Sequence, residues 1–91
     1  MKNLDEIRAS INEVDLKIIE SFKERMNLTK EVALYKKENN MQVFDPKREE
    51  ALIAKNINAL NDKKLEGYYL EVFKEILKQS KEYQKKIIDN E

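Results

Sequence analysis

The chain has 91 residues, the length of one small domain, and its 18 basic and 18 acidic side chains cancel. With neither a basic excess nor an acidic tail, charge-driven capture of nucleic acid is not expected. The absence of Cys and His removes thiolate chemistry, His-based triads and the usual zinc and iron sites, so neither a metal nor a disulfide framework is expected.

Leu, Ile, Val and Phe make up about a quarter of the residues, enough to build a core. Gly67 and Pro46 are the only Gly and Pro, and β-branched runs are scarce, which points to an all-α fold. The opening Met1-Lys2-Asn3-Leu4-Asp5 lacks the apolar core of a signal peptide. No stretch reaches the ~18 apolar residues of a membrane span. A single domain over 1–91, cytoplasmic and with no membrane partner, is the expectation.

The first element is a very long helix over about 4–38. Leu4, Ile7, Ile11, Val14, Ile18, Leu28 and Val32 recur at steps that describe one helical stripe. Asn3 is a candidate N-cap with Glu6 at the reciprocal position, and Asn39-Asn40 can close the helix in a left-handed turn. Such a rod is roughly 50 Å long at ~1.5 Å per residue. A lone chain of this size cannot readily cover both its ends, so a partner chain is implied. Asp45-Pro46 reads as the N-cap and first residue of a second helix over about 46–60, with Ala51, Leu52, Ile53, Ile57 and Leu60 on its apolar side. A third helix spans about 65–88, carrying Phe73, Leu77, Ser80, Gln84 and Ile88 on one strip. Asp89-Asn90-Glu91 is expected to fray.

Three polar residues interrupt these apolar strips. Arg25 falls on the stripe between Ile18 and Val32, where a guanidinium either snorkels to water or needs an anion, a carboxylate of the protein or a bound ligand. Ser80 and Gln84, four residues apart, point the same way. They either edge the buried face or line a pocket with Arg25. Lys36, eleven residues after Arg25, shares its face about 16 Å further along. Asp45, Arg48 and Glu49 cluster at the start of the second helix, with N-capping a sufficient role for Asp45. Arg8 lies seventeen residues before Arg25, about 25 Å away on the same rod. It can join the others only from the second subunit of an antiparallel dimer, which would have two equivalent sites.

The ordered set Arg8, Arg25, Lys36, Val43-x-Asp45-x-x-Arg48-Glu49, Ser80 and Gln84 resembles the all-helical chorismate mutases, from about Leu4 to Ile88. The resemblance implies an intertwined antiparallel homodimer of three-helix chains. It implies conversion of chorismate to prephenate, in the pathway to Phe and Tyr, by a Claisen rearrangement without cofactor. Arg8 of the partner subunit, Arg25 and Arg48 would face the substrate carboxylates, helped by Ser80. Lys36 and Gln84 would be the catalytic donors to the ether oxygen, and Asp45 and Glu49 would hold the ring hydroxyl. The turn before Lys36 departs from the pattern, with Ala33, Leu34 and Tyr35 where smaller or polar residues occur.

That chemistry suits the residues present. A pericyclic rearrangement needs a flexible dianion held in a reactive shape and donors at the oxygen that gains charge, not a nucleophile or base. Gln84 is a neutral amide and donates at any pH, so no acidic optimum is expected. Three alternatives stand beside this reading: an isochorismate pyruvate lyase, a non-catalytic regulatory domain that binds chorismate or prephenate, and a helical dimerisation module without ligand.

Overall fold

The computed structural model describes residues 3–90. Met1, Lys2 and Glu91 lie outside it, and with them part of the leader reading and the end of the segment expected to fray. Three helices carry the described chain: α1 (Leu4–Glu38), α2 (Pro46–Leu60) and α3 (Glu66–Asn90).

The helix ends follow from their capping residues. At the start of α1 the Asn3 side chain accepts from the Glu6 backbone N–H at 2.9 Å, satisfying one of the orphan donors of a helix start. Glu6 answers through its carboxylate, which accepts from the Asn3 side-chain amide. At the other end Asn40 takes a left-handed φ of 53°, and the Met41 N–H returns to the Lys36 carbonyl at 2.8 Å. This bond turns the chain sharply out of the rod. Asp45 then accepts from the Arg48 N–H at 3.1 Å, with Pro46 in the first turn of α2. Asn61, at φ 47°, closes α2 in the same left-handed way as Asn40. Helix α3 continues through Asp89 and Asn90, which were expected to fray.

Helix α3 is the shared support. It packs on both α1 and α2, whereas the backbones of α1 and α2 do not approach each other. Its buried residues are Phe73, Leu77, Ser80, Gln84 and Ile87. Ile87 replaces the expected Ile88 because steps of 4, 3, 4 and 3 stay on one face, whereas a third step of four drifts sideways. Tyr69 stacks on Phe73 with centroids 5.7 Å apart and donates to Asn56 on α2 at 3.1 Å.

On α1 the buried residues are Thr29 and Ala33, small side chains that let α3 come close. Leu34 and Tyr35 point outward, so the departure before Lys36 leaves the contact with α3 to Ala33 alone. The N-terminal part of the apolar stripe is left uncovered. Ile7, Ile11, Val14 and Ile18 are all exposed, Ile18 to 60%. The single chain is correspondingly extended, 56 × 27 × 15 Å, with a radius of gyration of 16.5 Å. A compact domain of this length has a radius of about 12 Å.

Candidate active site

A cavity of about 360 Å³ opens between the C-terminal half of α1, the start of α2 and the middle of α3. That is within the range of small-molecule sites. Its apolar wall comes from Leu28 and Val32 of α1, Leu52 of α2 and Leu77 of α3. Its polar groups are Arg25, Thr29, Lys36, Asp45, Arg48, Glu49, Ser80, Lys81 and Gln84. Seven of the eight residues singled out from the sequence therefore meet in one place. The eighth, Arg8, is exposed near the start of α1 and does not line this cavity.

Arg25 is held without a carboxylate. Its Nη1 donates to the Ser80 hydroxyl, and its guanidinium carbon lies 6.0 Å from the centroid of the Phe73 ring. The ion pairs among the described residues are Lys81–Glu49 and Lys85–Glu82, so neither neutralises Arg25. Ser80 in turn donates to the Ile76 carbonyl at 2.8 Å. Its hydroxyl proton is committed to the helix backbone, and its lone pair fixes the arginine. Thr29 donates to the Arg25 carbonyl at 2.9 Å, tying down the same turn.

Lys36 reaches across the helix end and donates to the Val43 carbonyl at 2.8 Å. An ammonium has three donors, so this bond fixes Lys36 and leaves others for the cavity. Gln84 is buried, with 8% of its surface exposed, and its Oε1 is fully enclosed with no hydrogen-bond partner. A buried orphan polar atom is uncommon and calls for a partner from outside the chain or a function. Glu49 pairs with Lys81 at 3.0 Å, and Asp45 is engaged in capping α2.

Thr29, Lys81 and the Val43 carbonyl are the polar contributors that the sequence pattern does not single out. Lys81 follows Ser80 directly and reads as an ordinary surface charge until α2 brings Glu49 to it. Together the cavity holds four cations, Arg25, Lys36, Arg48 and Lys81, against two carboxylates, Asp45 and Glu49. An excess of two positive charges suits a small dianion.

An all-helical chain with a cationic cavity, and with neither Cys nor His to act as nucleophile or base, defines a site built to grip and shape an anion. The family model for chorismate mutase type II matches residues 7–85. The chain belongs to that family, a family of isomerases. Comparison with curated proteins gives no match. Among the described residues no helix is long and apolar enough to cross a membrane.

Proposed function

We propose that this chain is a cytoplasmic chorismate mutase of aromatic amino acid biosynthesis, its three helices serving as one domain of an intertwined antiparallel homodimer. The observation that carries the reading is the cavity itself, where Arg25 is held by Ser80 with no carboxylate to neutralise it and the buried Gln84 amide keeps an oxygen without a partner.

The rearrangement breaks the ether C–O bond of chorismate as a C–C bond forms between the enolpyruvyl carbon and the ring, giving prephenate. Arg25 and Arg48 take the two carboxylates, and guanidinium forks fix orientation as well as charge. Ser80 acts first by aiming Arg25. Lys36 and Gln84 donate to the ether oxygen, which gains negative charge as its bond lengthens. A preplaced donor at such a position contributes roughly 3–4 kcal/mol. Holding the substrate in its compact reactive shape contributes several more. Glu49 and the Asp45 backbone receive the ring hydroxyl.

Two features support the homodimer. The chain exposes 7770 Å², against about 5600 Å² for a compact monomer of this mass. The excess of about 2200 Å² is of the size buried by obligate partners. It also coincides with the apolar stripe of α1. Covering that stripe with a second α1 running the opposite way carries Arg8 of the partner subunit toward the cavity.

The test is a turnover assay on the pure protein with chorismate and, separately, isochorismate, run beside a native mass measurement. Prephenate from chorismate and a mass of two chains are expected. Salicylate and pyruvate from isochorismate, without prephenate from chorismate, would assign the lyase activity instead. A stable, active monomer would overturn the shared site.

A further inference from the structure

Lys81 has no role in the scheme above, yet its contacts reach two other parts of the fold, whereas those of Arg25 both fall on α3 and that of Lys36 falls on the connection alone. Its Nζ lies 3.0 Å from Oε2 of Glu49, in the first turn of α2. It also lies 4.6 Å from the centroid of the Phe44 ring, in the connection between α1 and α2. An ammonium over a ring face at this distance is held by the ring quadrupole. The side chains of Lys81 and Glu49 are 27% and 23% exposed, so the pair is less screened than one on the open surface. Three elements are thus joined at one nitrogen.

The position matters because the backbones of α1 and α2 do not approach each other. The start of α2 is held over the cavity by Lys36 reaching Val43 from α1 and by Lys81 reaching Glu49 from α3. Glu49 alone would set a mobile negative charge beside a doubly negative substrate. Paired with Lys81, its charge is offset and its carboxylate has one orientation, with lone pairs left to accept a hydroxyl.

We propose that Lys81 is a positioning residue that clamps Glu49 and Phe44 to α3, so that the substrate's ring hydroxyl meets an oriented, charge-compensated acceptor. The proposal rests on the chorismate reading for its substrate. Its structural half, the clamp, does not.

The variants are Lys81→Met, which keeps the stem and removes the charge, Lys81→Arg, which keeps both, and Glu49→Gln, which keeps an acceptor oxygen. Steady-state constants on chorismate are measured for each and for the Met–Gln double variant. Lys81→Met is expected to raise KM about five- to tenfold with kcat changed by less than about twofold. Lys81→Arg restores most of the loss. In the Glu49→Gln background the same Lys81→Met change moves KM by less than about twofold, because its partner is already gone. Equal penalties in both backgrounds would mean that Lys81 meets the substrate directly, and would overturn the proposal. A loss confined to kcat would do the same.

Amide hydrogen exchange gives a readout that needs no turnover. The Arg48 and Glu49 N–H groups are bonded to Asp45 and report on the start of α2. Their exchange should quicken in Lys81→Met and in Glu49→Gln, and stay as in the parent in Lys81→Arg. If the parent protein does not convert chorismate, the proposed function fails while the clamp is still decided by exchange. Unchanged exchange in both charge-removing variants would refute the clamp, and either variant serves should the other not fold.

Discussion

The shared site can be tested by complementation between two defective chains. Arg8 and Arg25 are seventeen residues apart on one unbroken helix, about 25 Å along its axis. An arginine side chain spans only a fraction of that distance, so within one chain Arg8 cannot reach a ligand held by Arg25. Removing either guanidinium leaves a buried substrate carboxylate short of a charged partner. A loss of about 3 kcal/mol or more, over a hundredfold in kcat/KM, is expected for Arg8→Ala and for Arg25→Ala alone. In a hybrid of the two chains one site keeps Arg25 from the first and Arg8 from the second, and the other site loses both. Random pairing from equal amounts makes about half of the dimers hybrid, so about a quarter of the unsubstituted protein's activity should return in the mixture and about half in purified hybrids. Differently tagged chains co-expressed and sorted by double affinity, with composition verified by native mass, supply the material for the prephenate assay. Verified hybrids no more active than either single-variant homodimer would refute the exchange of Arg8 between subunits. So would a fully active Arg8→Ala chain.

Other outcomes follow from single groups. Lys36→Ala and Gln84→Ala should lower kcat by about a hundredfold with smaller changes in KM, as the proposed donors to the oxygen whose charge grows; steady-state kinetics would show it. Gln84→Glu should be active only toward low pH, because a carboxyl group donates only while protonated and its activity falls as pH rises through its titration. A variant whose pH–rate profile parallels that of the parent would remove Gln84 from the ether oxygen. Gly67 sits in the first turn of α3 with no heavy atom within 4 Å of where a Cβ would lie. Gly67→Ala should therefore raise stability, by up to about 1 kcal/mol in denaturant unfolding, with turnover unchanged.

Much of the fold can be read from helix periodicity and capping residues. Asn3, Asn39-Asn40 and Asp45-Pro46 mark boundaries through local bonds that depend on a few neighbouring residues. Arg25, Ser80 and Gln84 are legible because each interrupts an apolar strip. The face of α1 that meets α3 is not. Its contact uses Thr29 and Ala33, small residues with a weak hydropathic signal, whereas the N-terminal part of the apolar stripe, Ile7 to Ile18, stays exposed. Lys81 is hidden for a different reason. Its partner Glu49 is 32 positions away in sequence, and that pairing exists only once α2 is folded back on α3. The second role of Ser80, as the acceptor that aims Arg25, likewise depends on tertiary placement.

Because the backbones of α1 and α2 do not approach each other and both pack on α3, α3 sets the cavity width. Ser80, Lys81 and Gln84 sit on it within five residues, so a rotation or slide of this helix moves all three at once. Losing one residue between Leu77 and Ser80 would swing them by about 100° and unhook both neighbours together. Changes of substrate size should then arise from the spacing and bulk of α3 side chains facing α2, while the arginines stay as they are. The helix farthest along the chain acts as the caliper of the enzyme.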